Sequence, residues 1–412
     1  MNTKVQVRPG MLVPSGVSHR FAANLFLRVL ERLEHGKVFW ADASGSRAFG
    51  HDGGLVAQVE IRDPSFYRRV LVGGPLEAAR MYIEGGWDCS DLTALFRIVL
   101  HNESVRAGLG AKTPWLVRAA RKLQHLLRSN TKSGSRANIG AHYDLGNDLF
   151  RLFLDSTLSY SSAFFEHPNQ SLEHASLAKL DRLCRKLELN AQDHLVEIGT
   201  GWGGLAIHAA ENYGCRVTTT TISKEQYDLA VARIAERGLS DRVTVLLKDY
   251  RDLEGQFSKL VSVEMIEAVG DKFLPGYFAK CSDLLVPGGK AAIQAITIPE
   301  RRIEAARANI EFSQVYIFPG SEIPTISQLV DVPARHSRLD VLGIEDLTPH
   351  YAETLRLWAV NFERNLSLVR AIGYSEAFTR MWRYYLHYCE AAFRERHNGV
   401  VQVVYTKRWE RA

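Results

Sequence analysis

The sequence predicts an α/β fold, with a parallel sheet covered by helices and a smaller α+β unit in front of it. From about residue 172 onward, amphipathic helical stretches alternate with short apolar stretches rich in β-branched residues. Residues 37–61 instead alternate apolar and polar side chains between turn-forming residues, which is typical of short antiparallel strands. The first pattern indicates strands joined by crossover helices, and the second indicates a separate α+β unit.

The α+β unit covers roughly the first 105 residues, a usual size for a small domain. Apolar positions at helical spacing predict a helix over 18–34, before the alternating segment. Three further helices are predicted over 64–71, 75–84 and 90–101, and the punctuating segment MYIEGGWDCSDL lies between the last two.

In the α/β part, helices are predicted over 172–187, 203–213, 223–238 and 271–285. The predicted parallel strands are 194–199, 215–221, 242–249, 259–265 and 290–296. A long helical stretch over 353–396 and a final strand, GVVQVVYTKR, complete the chain.

The bulk composition is that of an ordinary globular protein, with 46% hydrophobic and 24% charged residues among 412. The formal net charge of +5 is too small to indicate a dedicated nucleic-acid-binding protein. The five cysteines show no metal-ligand spacing, which predicts no zinc site and a reduced, cytoplasmic setting. No apolar run approaches the length of a membrane span, so any membrane contact is expected to be peripheral.

Residues 104–143 form a basic segment with eight Lys or Arg residues and no Asp or Glu. Within it, PWLVRAARKLQHLLRS has the pattern of a basic amphipathic helix. One interpretation is a solvated helix with a basic linker. The other is a patch that docks on anionic phospholipid headgroups, to which each Lys or Arg contributes roughly 1 kcal/mol.

GTGWGG, residues 199–204, follows a predicted strand and opens a predicted helix. Its glycines Gly199, Gly201 and Gly204 fit the G-x-G-x-x-G pattern, which lets a nucleotide lie against backbone N–H groups. The pattern alone also fits NAD, FAD or a structural turn. A second observation is therefore needed to choose the ligand.

The neighbouring residues favour S-adenosylmethionine. Glu197 precedes the first glycine by two positions, where a carboxylate could receive the ammonium group of that cofactor. The second strand ends in TTTT, without the acidic residue that would bind an NAD ribose. Asp249 and Tyr250 end the third strand, where they could hydrogen-bond to an adenine and stack on it.

With these motifs the chain resembles the cyclopropane fatty acid synthase family, the S-adenosylmethionine-dependent enzymes that modify lipid double bonds. The matching motifs, in family order, are NIGAHYDLGNDLF (138–150), LSYSSAFF (158–165), VEIGTGWGG (196–204), TISKEQ (221–226), KDYRDL (248–253), YIFPGSEIPT (316–325) and HYAETLRLW (350–358). MYIEGGWDCSDL (81–92) also resembles the family's N-terminal lipid-binding domain. The resemblance implies a Rossmann-like class I methyltransferase domain with a helical cover over a lipid channel.

The resemblance also implies roles for individual residues. Cofactor contacts are implied for Tyr160, Ser161, Gly199, Gly201, Thr221, Gln226, Asp249 and Tyr250. The family holds a bicarbonate ion at the reaction centre, and its pocket maps onto Ser162, Glu267, Gln294, Ile296 and Tyr351. Two of these five positions differ from the family, which has Cys at 162 and His at 294.

Glu264 is a further departure, since the family commonly has a small residue there. Gln294 cannot carry a positive charge or titrate near neutral pH, so an ion would be held differently in this pocket. Glu264 and Glu267 would point to different faces of an extended strand but share one face of a helical turn. If the chain turns here, Glu264 could serve as the base in place of bicarbonate. The alternative is that it forms a salt bridge or reaches solvent.

The predicted function is methylation of a double bond in phospholipid acyl chains, giving a cyclopropane or a methyl- or methylene-branched chain. Attack by the double bond leaves a carbocation, which a dry pocket and electron-rich rings would stabilise. The candidate rings are Tyr143, Phe150, Tyr160, Phe164, Phe165 and Tyr351, although core packing alone would also account for each.

The predicted domains are a lipid-binding unit over 1–105, a basic helix or linker over 106–137 and the catalytic domain over 138–412. The expected setting is cytoplasmic, in peripheral contact with an anionic membrane, without nucleic acid or metal, and a homodimer is left open. Two other functions are an idle lipid-binding paralogue and a relative that methylates a non-lipid substrate.

Overall fold

The computed structural model describes residues 19–110 and 146–409. Most of the basic segment, including residues 111–137, lies outside these ranges, as do residues 138–145 of the first family motif with Tyr143. In the described part of the chain, no helix is both long enough and apolar enough to cross a membrane.

The first unit carries a four-stranded sheet in the order β2-β1-β3-β4. Its strands are β1 (Lys37–Asp42), β2 (Gly45–Gly50), β3 (Val56–Ile61) and β4 (Trp87–Cys89). Its helices are α1 (His19–Leu30), α2 (Phe66–Gly73), α3 (Pro75–Ile83), α4 (Leu92–His101) and α5 (Glu103–Gly110). The predicted α+β character is confirmed.

The prediction of purely antiparallel strands in this sheet is wrong. β1 and β2 form an antiparallel hairpin, but β1 and β3 are parallel. After β2 the chain reverses and places β3 against the other edge of β1, so β3 must run in the same direction as β1. Alternation of side chains reveals that a segment is a strand but does not reveal which neighbour it pairs with.

The second unit is built on a seven-stranded sheet in the order β10-β11-β9-β8-β5-β6-β7. Its strands are β5 (His194–Ile198), β6 (Arg216–Thr221), β7 (Val243–Leu247), β8 (Phe257–Val263), β9 (Leu285–Thr297), β10 (Leu339–Asp346) and β11 (Gly399–Lys407). Strands β5 to β9 are mutually parallel, and β11 is antiparallel to both of its neighbours. The predicted α/β class is confirmed, but β10 was not predicted; its central residues face solvent, and a bulge between Val341 and Gly343 interrupts its alternation.

The helices that follow α5 in the described ranges are α6 (Asn147–Arg151), α7 (Leu172–Lys186), α8 (Gly204–Tyr213), α9 (Lys224–Glu236), α10 (Leu274–Leu284), α11 (Ile303–Ala308), α12 (Phe312–Tyr316), α13 (Ile326–His336), α14 (Thr348–Arg364), α15 (Leu366–Ala371) and α16 (Glu376–Arg394). The predicted helical stretch over 353–396 is helical for most of its length, but it is divided among α14, α15 and α16. Gly373 adopts a left-handed conformation, and Ser375 caps the start of α16, so the chain stops and restarts there.

The two compact units do not follow chain order. Residues 306–317 and 362–397, which contain α12 and α16, group with the N-terminal residues. The second unit contains residues 146–305, 318–361 and 398–409 of the described chain. The predicted catalytic span 138–412 thus includes segments of both units.

Candidate active site

The glycine turn lies at the carboxyl end of β5 and leads into α8. Gly199 has a φ of 101°, a left-handed value that side chains other than glycine rarely adopt. At Gly204 an added Cβ would lie 2.7 Å from the carbonyl oxygen of Thr157, so the close approach of these backbones requires glycine. In front of Gly201 nothing lies within 4 Å of where a Cβ would stand, which leaves open space against the turn for a ligand.

Glu197 lies on β5 and is buried beside this turn. Its carboxylate accepts a hydrogen bond from the Thr219 hydroxyl at 2.6 Å, and that hydroxyl also lies 2.6 Å from the Thr200 hydroxyl. Burial raises the pKa of Glu197 to about 8. The structure thus connects Glu197 to the glycine turn through two threonines, and its contact with a cofactor ammonium group stays a prediction.

The other predicted cofactor residues follow the neighbouring parallel strands at the same sheet edge. At the end of β6, the Thr221 hydroxyl donates to the side-chain oxygen of Gln226 at 2.8 Å. Directly after β7, Asp249 is buried and binds the guanidinium of Arg251 through both carboxylate oxygens. Tyr250 follows Asp249 in the chain. This edge is where parallel α/β sheets bind nucleotides, so the arrangement fits S-adenosylmethionine.

Tyr160 and Ser161 lie in the segment between α6 and α7. The ring of Tyr160 stacks on Trp358 with 5.2 Å between centroids, and Phe150 meets it edge-on at the same distance. Ser161 is buried and accepts a hydrogen bond from the Lys179 ammonium at 2.9 Å. The lysine is only a donor, so the serine's own O–H is directed elsewhere.

The chain turns sharply where β8 ends. Glu264 has a φ of 47°, in the left-handed region, and residues Ile266–Ala268 form a short 3-10 helix. For a residue other than glycine this conformation costs about 1 to 3 kcal/mol and is found mainly at functional sites. The turn brings Glu264 and Glu267 close enough for their charges to interact.

Glu264 accepts hydrogen bonds from two different elements. Its Oε1 accepts the backbone N–H of Ser162 at 2.8 Å and the side-chain Nε2 of Gln294 at 2.7 Å. The Tyr351 hydroxyl is a further hydrogen-bond partner. Burial raises the pKa of Glu264, and these bonds together with the positive charge of Lys179 oppose that rise.

Glu267 is buried and is supported by fewer donors. Its Oε1 accepts the backbone N–H of Ile296 at 2.5 Å, while its Oε2 has no hydrogen-bond partner among the residues that the structure describes. Burial and the neighbouring charge of Glu264 raise its pKa to about 8. Of the two acids, Glu267 is thus favoured in its protonated form near neutral pH, whereas Glu264 has more hydrogen-bond donors to support a negative charge.

The motif YIFPGSEIPT supports the acidic turn from its other side. The backbone N–H of Glu322 donates to the carbonyl of Glu267 at 2.9 Å. The Glu322 carboxylate in turn accepts the backbone N–H of Asp271 at 2.6 Å. Both ends of the turn are thus hydrogen-bonded to a single residue of this motif.

The predicted bicarbonate residues do lie together, but they do not fit a bound bicarbonate. The backbone N–H groups of Ser162 and Ile296 already donate to Glu264 and Glu267. A further anion would compete with these carboxylates for the same donors and would be repelled by the charge of Glu264.

Sequence reasoning missed Lys179, which is completely enclosed on α7. Its pKa is lowered by burial, against the opposing charges of Glu264, Asp155 and Glu197. The signal was present in the sequence, because a lysine occupies an apolar position of the amphipathic helix LEHASLAKLDRLCRK. Its depth became apparent only from the packing.

The remaining aromatic candidates fall into two groups. Tyr351 donates to the acid pocket and meets Trp358 edge-on with 6.0 Å between centroids. Phe164 and Phe165 instead stack near His350 on α14, and the guanidinium of Arg182 lies 4.3 Å from the Phe164 ring. The face of Phe164 is therefore already used by a cation of the protein itself.

The fold and this site define a class I methyltransferase with two acids beside its cofactor edge. A family model described as mycolic acid cyclopropane synthetase matches residues 130–403. The chain belongs to this family of S-adenosylmethionine-dependent lipid methyltransferases and cyclopropane synthases, as the motifs predicted.

Two relatives cover most of the chain. Tuberculostearic acid methyltransferase UfaA1 of Mycobacterium tuberculosis (strain ATCC 25618 / H37Rv) is 38% identical over 366 residues, which are 85% of this chain and 85% of the relative. Cyclopropane-fatty-acyl-phospholipid synthase of Escherichia coli (strain K12) is 37% identical over 361 residues, 86% of this chain and 89% of that protein.

A solved structure is also similar. It is the crystal structure of mycolic acid cyclopropane synthase CmaA1 complexed with SAH and CTAB. The two structures superpose with a TM-score of 0.63 at 31% identity, over 66% of this chain and 98% of the other. The predicted Rossmann-like methyltransferase fold is confirmed.

Proposed function

We propose that this protein transfers a methyl group to the double bond of an unsaturated phospholipid acyl chain, and that Glu264 accepts the proton that is then lost. The proposed product is a methylene-branched chain. The observation that carries this proposal is the Glu264 carboxylate, which occupies the donors of Ser162 and Gln294 that the family resemblance assigns to bicarbonate.

The named relatives support an acyl-chain substrate. One is a tuberculostearic acid methyltransferase and another is a cyclopropane-fatty-acyl-phospholipid synthase, so both reaction types occur among proteins of similar identity. The acidic residue at 264 is the local departure from the family pattern that motivates proposing a branched product rather than a ring here.

The chemistry divides between the cofactor and the protein. Bound S-adenosylmethionine would supply an electrophilic methyl group, with Gly199, Gly201, Thr221, Gln226, Asp249 and Tyr250 as its proposed ligands. The half-buried ring of Tyr160, which stacks on Trp358, is the proposed stabiliser of the positive charge that develops on the acyl chain. Glu264, whose carboxyl group has more hydrogen-bond donors than that of Glu267, is the proposed acceptor of the proton.

The atoms balance without an added reductant. One alkene carbon forms a bond to the methyl group, and its neighbour becomes a carbocation. A hydride shift moves the cation to the carbon that bears the new methyl group. Loss of a proton from that methyl group to Glu264 leaves a methylene branch, a carbon–carbon double bond between the chain and the former methyl carbon. Loss of the same proton before the hydride shift would close a cyclopropane ring, so the timing of proton removal separates the two products.

Product analysis tests the proposal. The protein would be expressed in a host that lacks such enzymes, and its fatty acid methyl esters examined by gas chromatography–mass spectrometry. Because the methylene-branched chain and the cyclopropane are isomers of equal mass, mild catalytic hydrogenation is added, which reduces the methylene group and leaves the ring. We expect a product that takes up hydrogen. Unchanged acyl chains would contradict the lipid function, and a hydrogen-resistant product would contradict the branched one.

Membrane binding is a further part of the proposal and has its own test. The N-terminal unit and the basic segment 106–137 are proposed to bring the protein to an anionic membrane surface. Sedimentation with vesicles of anionic phospholipid, against neutral vesicles at the same salt concentration, measures this. An idle paralogue would bind vesicles but fail to bind S-adenosylmethionine in calorimetry.

A further inference from the structure

We propose that Gln402 and Lys186 are positioning residues for the reaction, because together they fix the direction in which the Gln294 amide faces Glu264. This inference rests on the proposed role of Glu264 as proton acceptor. Gln402 lies on β11, directly opposite Gln294 on β9, and Lys186 is the last residue of α7.

The three side chains form a hydrogen-bond chain that ends on Glu264. Lys186 Nζ donates to Gln402 Oε1 at 2.6 Å. Gln402 Nε2 donates to Gln294 Oε1 at 2.9 Å. Gln294 Nε2 then donates to Glu264 Oε1 at 2.7 Å. Every step runs in the same direction, from the ammonium group to the carboxylate.

The donor-to-acceptor direction of these hydrogen bonds follows from Lys186, where they begin. An ammonium group can only donate, so Gln402 must turn its oxygen toward Lys186 and its NH₂ toward Gln294. Gln294 then has its oxygen satisfied and turns its NH₂ toward Glu264 and toward the Ser162 carbonyl oxygen, which accepts from the same Nε2 at 3.2 Å. With both amides reversed, two oxygens would meet at Glu264 and two donors would meet at Lys186, which is unfavourable in a buried site.

Burial raises the energetic cost of turning either amide the wrong way. Gln294 is 0% exposed and Gln402 is 1% exposed, and the residues directly before and after each of them in the strand are apolar. A buried amide left without partners costs about 1 to 3 kcal/mol per group, so these two glutamines are retained at a cost that their hydrogen bonds must offset. Lys186 is held in turn by the carboxylate of Glu345 at 2.5 Å, which keeps the ammonium group at the start of the chain.

Several other groups face Glu264 and also influence its pKa. Lys179 approaches from α7 as a positive charge, Glu267 lies on the same turn, and the Tyr351 hydroxyl comes from α14. None of these is altered by a change at Gln402. Because Gln402→Glu also adds a charge, the neutral variant Gln402→Leu is measured beside it, and a shift in the pKa of Glu264 in that variant reports on the amide chain.

The test is Gln402→Glu, which is nearly isosteric but can only accept. The introduced carboxylate would still pair with Lys186, and its second oxygen would draw the NH₂ of Gln294 away from Glu264. We expect kcat to fall by about 10- to 100-fold, the KM for S-adenosylmethionine to change little, and the acid limb of the kcat profile to move up by on the order of one pH unit. Wild-type kcat and pH profile in this variant would overturn the inference.

A second variant covers the case in which Gln402→Glu does not fold. Lys186→Met removes the donor that sets the direction and is expected to lower kcat several-fold with the same sense of pH shift. Its matched control is Lys290→Met. This variant removes a lysine of β9 that pairs with Glu188 and takes no part in the hydrogen-bond chain. Equal effects of the two lysine variants would overturn the inference. Thermal unfolding and S-adenosylhomocysteine affinity check that each variant is folded.

A measurement without turnover separates this inference from the proposed function. The ¹³C NMR titration of the Glu264 carboxyl, assigned with Glu264→Gln, gives its pKa directly. Inactive wild-type protein would contradict the proposed function alone. An unchanged Glu264 titration in Gln402→Glu would contradict the positioning role alone.

Discussion

Glu264 and Gln294 are joined by two hydrogen bonds of opposite sense. The Gln294 side chain donates to the Glu264 carboxylate at 2.7 Å, and the Glu264 backbone N–H donates to the Gln294 carbonyl at 2.8 Å. The second bond extends the β8–β9 pairing by one residue just before the chain turns. The carboxylate is thereby fixed to the strand that carries its donor.

Glu264→Gln is expected to lower kcat by about 100- to 10,000-fold, the range typical of removing a general base, with cofactor affinity nearly retained. Glu267→Gln should lose less, because it replaces an acid that is already neutral near pH 7. Methyl transfer to oleoyl phospholipid measures both. A Glu264→Gln enzyme that keeps full activity and the same product would show that another group takes the proton.

Glu264→Gly is expected to create a bicarbonate-dependent enzyme. Removing this side chain frees the Ser162 N–H and the Gln294 amide as donors for an anion. Added bicarbonate should restore part of the lost activity in this variant and leave the wild type unchanged. The measurement is turnover at constant pH and ionic strength with and without bicarbonate. Equal stimulation of the wild type would argue that its pocket also holds the ion.

The stability of the protein is expected to decrease as pH rises from about 4.5 to 8, and Glu267→Gln should reduce this slope. The folded-state pKa of Glu267 is about 8 and lies above its ordinary value of 4.5, so in this window the folded state binds more protons than the unfolded state. Inside this pH window, each such group lowers the free energy of unfolding by about 1.4 kcal/mol per pH unit. The melting temperature, measured as a function of pH, gives this dependence of stability on pH.

The control for this prediction is Glu188→Gln. Glu188 is an exposed carboxylate whose pKa is lowered by Lys290, so its titration falls below the window. Its removal should leave the slope unchanged. A Glu267→Gln protein with the wild-type slope would mean that Glu267 is ionised in the folded state.

Lys179→Met is expected to raise the pKa of Glu264, because it removes a buried positive charge that favours the carboxylate. The acid limb of the kcat profile should move up by on the order of one pH unit, and Lys179→Arg should restore part of the shift. Ser161→Ala removes the hydrogen-bond partner of Lys179 but keeps the positive charge of the lysine. This variant should therefore affect the KM for the cofactor and leave the acid limb of the kcat profile where it is. A profile unchanged in Lys179→Met would contradict the electrostatic role.

Gly204→Ala is expected to disrupt cofactor binding, because its Cβ would stand 2.7 Å from the Thr157 carbonyl oxygen and force the turn apart. Calorimetry with S-adenosylhomocysteine should give a loss of at least about 10-fold in affinity, equivalent to roughly 1.4 kcal/mol. Gly276→Ala in α10 is the matched control, since nothing lies within 4 Å of its added Cβ. Equal affinities for the two variants would contradict the steric argument.

The sequence revealed much of the site because its motifs are local. GTGWGG requires a tight turn wherever it occurs after a buried strand, and Asp249 and Tyr250 follow directly on a strand end. The same local logic missed Gln402, which is a polar residue between valines in a mostly apolar strand. Its importance depends on Gln294, 108 positions away in the chain.

The sequence by itself determined the α/β class, the family and the identity of the acids at 264 and 267, because side-chain periodicity and short motifs are properties of neighbouring residues. Only the tertiary structure decided that Glu264 turns inward. That outcome depends on a left-handed backbone at one residue, on the N–H of Ser162 and on the amide of Gln294, which come from three separate segments. Donor directions and burial arise when those segments pack together, and no local pattern encodes them.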